Sequence, residues 1–385
     1  MHRNKLCILF FSLILGAGAC INPFDPGIDP QDISKYVVNG VVSDESAIQT
    51  VSVSMASSVG DPRIIPVSGC SVIIRDEPGN IFQMNEAVNG IYKAEIDPSF
   101  LVAGNSFRIE VTTPDGTMIQ SDFDSIPGCP DVDSVYFLRS EIIADNPNDV
   151  VKGIRFYLDF DGGSSASRYF RWELEETWEY RVPYPREWFY DGIVHQILPA
   201  DYSRQVCWKT VPVWKIFTLS TAGLSENRYE MLPLNFVDNL GPRLVYGYSL
   251  LIKQISLSEA SFAYWDQLRS NSYDQGGLYD KQPAMITGNL HNMTSPDNEV
   301  LGFFGASSVK SKRIFVADVD NLDIKYTAPC SLNILKYGFK ELKPEDLPVY
   351  LYGDRLGYSL ISMGDECVDC LKMGGVNVKP DFWPW

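Results

Sequence analysis

The sequence predicts a mainly β fold, with an N-terminal immunoglobulin-like β-sandwich and a larger β-rich domain that carries one packed helix. The composition supports this prediction: 20 Tyr, 20 Phe and 8 Trp occur beside 29 Gly and 24 Pro. Aromatic residues favour strands, whereas Gly and Pro favour turns. The pattern agrees, because short stretches such as residues 51–55 alternate apolar and polar side chains, the period of a half-buried strand.

Residues 1–19 have the pattern of an export signal. His2, Arg3 and Lys5 precede an apolar run over residues 6–15, and small residues fill positions 16–19. A charged start, a short apolar segment and a small-residue cleavage site are typical of a secretory signal peptide. The run is shorter than the roughly 20 apolar residues of a transmembrane helix, so the signal is predicted to be removed.

Cys20 follows the small residues directly and resembles the lipidated cysteine of a bacterial lipobox. Ala17 departs from the commonest pattern, which has Leu at that position, and an ordinary thiol in a secreted protein is the alternative. Residues 22–31 are polar and Pro-rich, as expected of a linker that forms no core. We therefore predict that Cys20 carries acyl chains and that residues 20–35 form a lipidated tether.

The remaining chain divides near a Pro- and Cys-containing stretch at residues 124–133. Short strands and turn signals over residues 36–125 indicate the immunoglobulin-like β-sandwich, and residues 126–385 form the β-rich C-terminal domain. In that domain, Phe170, Trp172 and Leu174 alternate with charged residues. This alternation predicts a strand with one apolar face.

One helix is predicted near residues 257–269. Ser256 and Glu259 have the spacing of a capping box. Leu257, Tyr264 and Trp265 fall on one helical face together with Leu268, so the helix should pack against a sheet.

Six cysteines remain in the mature chain, and an even number in an exported protein predicts disulfides. The candidates are Cys70, Cys129, Cys207, Cys330, Cys367 and Cys370. Their positions suggest that Cys70 pairs with Cys129 and that the other four pair among themselves, although six cysteines allow 15 connectivities. The Cys367-x-x-Cys370 spacing also occurs in redox and metal sites, so that use remains the alternative to a structural disulfide.

Charge and motifs argue against a nucleic-acid ligand and against catalysis. The formal net charge is −17, whereas phosphate binding needs clustered basic residues. The mature chain has two histidines, His195 and His291, far apart and outside any zinc or nucleophile motif. Acidic clusters at residues 159–161 and 318–323 could bind calcium, but are interpreted as acids of turns and strand ends. We expect no enzyme activity, no cofactor and no metal.

An aromatic stretch offers a candidate binding surface. Trp172 and Trp178 have the alternation of core residues. Pro183 and Pro185 predict a loop after Tyr180, so the following Trp188, Phe189 and Tyr190 are candidates for an exposed interface.

Several short segments have a characteristic order and spacing along the chain. They are residues 36–40 (YVVNG), 66–72 (PVSGCSV), 207–208 (CW), 258–265 (SEASFAYW), 288–290 (GNL), 300–304 (VLGFF), 367–370 (CVDC), 374–375 (GG) and 379–383 (KPDFW). Together they resemble a family of Bacteroidota lipoproteins of unknown activity that are usually encoded beside a TonB-dependent receptor, and the resemblance covers the chain from Cys20 onward. It implies an outer-membrane lipoprotein that works with a receptor barrel, and it supplies no catalytic residues.

The sequence thus predicts a non-catalytic outer-membrane lipoprotein that acts as an accessory or capping partner of a TonB-dependent receptor in nutrient capture. It is expected at the cell surface. The first acid after Cys20 is Asp25, later than in many surface lipoproteins, so the periplasmic face remains open. The alternatives are a free-standing surface adhesin or glycan-binding module, and a hydrolase with carboxylate catalytic residues.

Overall fold

The computed structural model describes residues 35–57, 62–143, 150–273, 286–353 and 360–385 of the chain. The predicted mainly β fold is confirmed, and a single α-helix occurs in the described ranges. None of the helices in these ranges is long and apolar enough to cross a lipid bilayer.

Strands and helix are numbered in chain order. Helix α1 spans Glu259–Tyr273. Short 3-10 turns lie at Pro242–Leu244, Gly338–Glu341, Pro344–Asp346, Asp365–Cys367 and Cys370–Met373. The strands are β1 (Tyr36–Ser43), β2 (Ile48–Met55), β3 (Ile65–Pro66), β4 (Ser71–Asp76), β5 (Ile81–Val88), β6 (Ile91–Glu95), β7 (Ser106–Thr112), β8 (Met118–Ser121), β9 (Asp124–Ser125), β10 (Ser134–Ile143), β11 (Val150–Asp161), β12 (Tyr169–Arg181), β13 (Arg186–Tyr190), β14 (Val194–Asp201), β15 (Val206–Ser220), β16 (Arg228–Asp238), β17 (Tyr248–Ser256), β18 (Leu290–Asn292), β19 (Leu301–Val316), β20 (Leu332–Ile334), β21 (Val349–Gly353) and β22 (Leu360–Met363).

One large sheet runs through most of the molecule. Its strands follow the order β15–β12–β17–β19–β1–β2–β6–β5–β4–β7–β8–β18, with β3 beside β2 and β9 beside β7. Strand β19 joins the two halves: residues 301–307 pair in parallel with β1, and residues 308–316 pair antiparallel with β17. Two smaller sheets, β10–β11–β16 and β14–β13–β21–β22–β20, complete the fold.

The first hydrophobic core lies among the strands of residues 36–125. Ile74 and Phe107 are fully buried there. Leu290 of β18 and Phe304 of β19 belong to the same core, although they come from much later in the chain. The predicted sandwich segment therefore shares its core with two returning strands. Its immunoglobulin-like arrangement and the domain division after residue 125 stay predictions.

The second core lies between β12 and the three-stranded sheet, as the alternation in β12 predicted. Phe170 and Trp172 are at most 1% exposed and pack with Phe160 of β11, whose ring centroid lies 4.3 Å from that of Phe170 and 6.1 Å from that of Trp172. Truncating a buried ring of this size to Ala typically costs about 3–5 kcal/mol. The core position predicted for Trp178 is likewise confirmed, at 8% exposure.

Two disulfides brace the C-terminal part. Cys207 in β15 bonds to Cys370, and Cys330 bonds to Cys367 beside the five-stranded sheet. The prediction that these four cysteines pair among themselves is confirmed. Cys367 and Cys370 bond to different partners, so they do not form the dithiol couple that their spacing also suggested.

The predicted pairing of Cys70 with Cys129 is wrong, because both are free thiols. Cys70 Sγ lies 3.7 Å from the carbonyl oxygen of Val67, near the first core. Cys129 Sγ lies 3.4 Å from the carbonyl oxygen of Gln254 in β17. Proximity along the sequence was a poor guide here, because each thiol is half-buried against a different part of the large sheet.

Helix α1 confirms the predicted helix, but its N-terminal cap differs from the prediction. Ser256 is the last residue of β17, and its hydroxyl donates a hydrogen bond to the Gly128 carbonyl over 3.1 Å. The cap is Ser258, whose Oγ accepts from the Ser261 N–H over 3.1 Å. Strand β17 thus includes Ser256, which the capping-box spacing had predicted as the helix cap.

We expect Cys207→Ser to lower the melting temperature more than Cys330→Ser does. The Cys207–Cys370 bond joins residues 163 apart and the Cys330–Cys367 bond joins residues 37 apart. The loss of loop-closure entropy in the unfolded chain then predicts a stabilisation of about 5 kcal/mol for the first bond and about 4 kcal/mol for the second. Thermal unfolding under non-reducing conditions measures the difference. Cys129→Ser, which removes a free thiol, is the matched control, and equal losses in all three variants would refute the assignment.

Asp115 should stabilise the fold in a pH-dependent way. Hydrogen bonds from the Thr113 hydroxyl, the Thr117 N–H and the Tyr36 hydroxyl lower the Asp115 pKa from 3.8 to about 2. A lowered folded-state pKa means that the stabilisation is present above about pH 4 and is lost as the pH falls through about 2. Asp115→Asn should therefore lower the melting temperature at neutral pH, and the deficit should shrink over that window. A deficit independent of pH would contradict this.

Candidate functional site

The solvent-facing side of β12 carries charged residues. Because alternate side chains point to opposite faces of a strand, burial of Trp172 places Arg171, Glu173 and Glu175 on the other face. Glu173 stands directly opposite Lys253 of β17 in the antiparallel register. The core and this charged surface are therefore the two sides of one strand.

Helix α1 covers one end of this sheet face. Its Tyr264 ring stacks on Phe303 of β19, with centroids 4.8 Å apart. The next residue, Trp265, lies under the Arg171 guanidinium, whose Cζ is 3.8 Å from the indole centroid. These contacts confirm that the predicted apolar helix face packs on a sheet, and they place an indole beside the charged row of β12.

A bulge in the edge strand β15 forms the opposite wall. In the register with β12, Phe217 pairs with Trp172 and Val213 pairs with Leu174. Residues 214–216 of β15 therefore lie opposite a single residue of β12 and form a bulge. A bulge re-aims side chains that regular pairing would alternate. Trp214, within it, is 85% exposed.

Two adjoining cavities lie between these walls. They measure about 470 and 440 Å³ and share Arg171, Glu173 and Trp265. The first cavity reaches Trp214, and the second extends across β17 and β19 to β1 and β2. We call this joint space the groove. Each cavity alone falls within the size range of ligand sites, about 300–1,000 Å³.

Arg171 is the central residue of the groove. Its side chain is 12% exposed, and one Nη lies 2.7 Å from the Glu173 carboxylate. Burial lowers the pKa of the guanidinium, and Glu173 partly opposes this shift; an arginine nevertheless stays charged at neutral pH. Its Nε is buried and has no hydrogen-bond partner among the described residues. The Arg171 guanidinium is thus a hydrogen-bond donor held in place over the Trp265 ring.

Glu45 and Glu175, the other acidic residues of the groove, are also in ion pairs. Lys253 Nζ lies 2.6 Å from a Glu45 carboxylate oxygen, and an Arg313 Nη lies 3.5 Å from Glu175. Among the charged residues lining the two cavities, three are basic and three are acidic: Arg171, Lys215 and Lys253 against Glu45, Glu173 and Glu175. The lining is therefore neutral in a chain whose net charge is −17.

The C-terminal segment packs against the end of β19 that carries Arg313 and Phe315. The Phe382 ring lies under the Arg313 guanidinium, with Cζ 3.6 Å from the centroid. Trp383 is buried, and the Phe315 ring of β19 lies 5.9 Å from that of Trp385. This tail therefore packs on the sheet and contacts Arg313, which forms the ion pair with Glu175.

The predicted interface aromatics lie elsewhere and in a different setting. Trp188, Phe189 and Tyr190 belong to strand β13, not to a loop, and each is partly buried. Phe189 stacks on His195 with centroids 4.5 Å apart, and Tyr190 stacks on Phe339 at 4.2 Å. Two of the three aromatic rings are therefore already engaged within the protein, and an interface role for the three remains a prediction.

The candidate acids bind backbone amides. Asp159 accepts from the Met231 N–H, Asp161 from the Gly163 N–H and Asp318 from the Val319 N–H, each over 2.8 Å. These contacts agree with acids of turns and strand ends. In the described part of the chain, His, Cys, Asp and Glu side chains form no group of three suited to a metal ion.

The two histidines are separate and exposed. His195 Nε2 lies 2.9 Å from Asp191 Oδ1, and His291 Nε2 lies 3.1 Å from Asp122 Oδ1. They lie in different sheets, and neither lines the groove. The structure therefore does not bring the two into one site.

Sequence reasoning missed the groove, because Trp214 and Trp265 are distant in sequence and line one cavity only once the sheet has formed. A signal was nevertheless present. The polar side of β12 alternates Arg171, Glu173 and Glu175 around large core residues, which marks a charged, structured face.

Comparison with known proteins links the chain to a family without an established function. A family model described as a domain of unknown function (DUF4249) matches residues 21–313. No curated protein matches the chain. Among solved structures, trypsin-activated alpha-2-macroglobulin from Escherichia coli matches at 11% identity and a TM-score of 0.20, covering 62% of this chain and 15% of that one. This likeness is too weak to support any statement about fold or function.

The contact between Arg171 and Trp265 should be measurable by a double-mutant cycle. We expect Arg171→Met and Trp265→Leu to show a coupling free energy of about 0.5–2 kcal/mol in chemical unfolding, the range of cation–π contacts. As control, Trp265→Leu is combined with Arg228→Met in β16, behind the second core, where coupling should stay within about 0.5 kcal/mol. Equal coupling in both cycles would argue against the contact.

Proposed function

The chain belongs to the DUF4249 family, a domain of unknown function whose model covers residues 21–313, or 293 of 385 residues, and on that premise we propose that it is a non-catalytic lipoprotein of the outer membrane. In this proposal it captures a nutrient in the groove and assists a TonB-dependent receptor in taking it up.

Cys20, following the small residues 16–19, is the observation that carries the proposal. Several acyl chains on one residue anchor a protein stably, whereas a single chain binds a membrane only marginally. The fifteen steps from Cys20 to Lys35 reach at most about 50 Å when fully extended. Such a tether keeps the folded body within reach of a receptor in the same membrane.

The assignment to a receptor is supported by the family resemblance of the sequence, which is to lipoproteins usually encoded beside TonB-dependent receptors. An open groove on a rigid sheet also suits a protein that binds a ligand and then releases it to a partner. The cell surface is the proposed location, since a nutrient reaches that side first.

The groove is better suited to binding than to hydrolysis. Glycosidases place two carboxyl groups on either side of the bond to be cleaved. Glu173 and Glu175 instead project from one face of one strand, and each lies in an ion pair with an arginine. A ligand in the groove would therefore meet these two carboxylates from the same side, and the third, that of Glu45, is in an ion pair with Lys253.

Cys20→Ala should abolish both palmitate incorporation and recovery of the protein in the outer-membrane fraction. Labelled palmitate, followed by membrane fractionation, measures this. Cys7→Ala is the matched control, since Cys7 is lost with the signal peptide and its replacement should leave labelling intact.

A tagged wild-type copy, extracted from membranes in mild detergent, should bring down a TonB-dependent receptor identified by mass spectrometry. Isolation of the lipoprotein alone would point to the free-standing adhesin or glycan-binding module. Palmitate labelling that persists in Cys20→Ala would remove the basis of the proposal.

A further inference from the structure

We propose that the groove binds a neutral oligosaccharide, with Trp214 and Trp265 contacting the sugar rings and the paired charges of β12 and β17 contacting the hydroxyl groups. The inference rests on the proposed function, because it names the class of nutrient that the lipoprotein captures.

The charge of the lining favours a neutral ligand. Three basic and three acidic residues line the groove, and the pairs Arg171–Glu173 and Lys253–Glu45 are already at 2.7 and 2.6 Å. A charged ligand would meet a lining whose charges already balance, and at Arg171 or Lys253 it would compete with an existing ion pair. Hydroxyl groups, in contrast, can accept from the basic partner and donate to the acidic one at the same time.

The backbone of the groove floor is not available to a ligand. Strands β12, β17, β19 and β1 form the floor and are hydrogen-bonded to one another. A peptide typically gains affinity by adding a strand to an exposed sheet edge, which a sheet face does not offer. Recognition in the groove must therefore come from side chains, as is usual for sugar hydroxyls.

The two indoles supply apolar surface at both walls. Trp214 is 85% exposed on the β15 bulge, and Trp265 lines both cavities while Arg171 lies over its ring. The C–H faces of a sugar ring are apolar and flat enough to lie against an aromatic ring. The hydroxyl groups project from the edge of the sugar and stay free for hydrogen bonds. Arg171 lines both cavities, and its Nε is a buried donor without a partner among the described residues.

The length of the groove suits a chain of sugars more than a single one. The lining residues extend from β15 through β12, β17 and β19 to β1 and β2. Five inter-strand steps of about 4.8 Å give a path of roughly 24 Å along the sheet face. A polymer that crosses the strands would contact Trp214 at one end and the region of Glu45 at the other.

The test uses the full lipoprotein, purified in mild detergent, on an array of neutral oligosaccharides printed beside uronic-acid and sialylated glycans. We expect binding to neutral glycans, and a loss of about tenfold or more in affinity for Trp214→Ala, as for removal of an aromatic contact worth at least 1.4 kcal/mol. Tyr337→Ala is the matched control, because Tyr337 is 81% exposed and lies outside the groove. Its affinity should equal that of the wild type.

Titration calorimetry on the best array ligand then distinguishes neutral from charged recognition. The affinity should change little between about 50 and 500 mM NaCl, because salt screens only charge–charge attraction. Binding restricted to acidic glycans, a steep salt dependence, or equal losses in Trp214→Ala and Tyr337→Ala would each overturn the inference. If no glycan binds while the receptor is still recovered in the pull-down, the ligand class is wrong and the accessory role stands.

Discussion

Strand β19 is the constraint on which the rest of the structure depends. It pairs through residues 301–307 with β1 and through residues 308–316 with β17, so one strand carries both halves of the large sheet. The parallel contact with β1 requires close backbone approach: Gly302 has a φ of +98°, and a Cβ there would lie 2.1 Å from the Val38 carbonyl oxygen. A side chain at this position would force the two halves apart, because both strained φ and steric overlap oppose it. Because both halves share strand β19, the hydrogen-bond register of this strand determines how the two cores are placed relative to each other, and no flexible linker does so.

The same strand positions the helix that completes the groove. Asp124 is buried and accepts hydrogen bonds from the Ala306 N–H of β19 over 2.9 Å and from the Ser261 hydroxyl of α1 over 2.7 Å. Removing one partner of such a buried group leaves a desolvated charge, which costs more than the bond itself contributes. Asp124 thus fixes the start of α1 over the sheet, and Trp265 reaches Arg171 as a consequence. The wall of the groove is set by a buried carboxylate that does not line it.

How much of this could be predicted depends on whether the information is local in sequence. The alternation around Trp172 identified both the buried and the charged side of β12, because period two is a property of one strand. The helix was predictable from spacing, but its cap moved from Ser256 to Ser258, since β17 extended further than propensity indicates. The predicted Cys70–Cys129 pair was wrong, and the loop predicted at Trp188 is strand β13, because both features depend on which strands become neighbours. The groove itself joins Trp214, Arg171 and Trp265 through strand order and a bulge, and neither is encoded within a short window.

Core stability and groove chemistry are therefore set by one register, that of β12 against β17. A slip of one residue would turn every side chain to the opposite face, exposing Trp172 and burying Arg171 with its charge, which a core tolerates only when it is paired. The packing of Trp172 in the core is thus sufficient to hold Glu173 opposite Lys253, and no separate requirement of the groove is needed. The bulge that carries Trp214 lies on the edge strand and outside this core. Substitutions in the bulge can alter the contacts of the Trp214 ring at little cost in folding stability. The charged floor, in contrast, can change only if one ion pair of opposite charges is replaced by another. If the groove binds a ligand as proposed, its preference is free to diverge at the β15 wall while the neutral floor is retained.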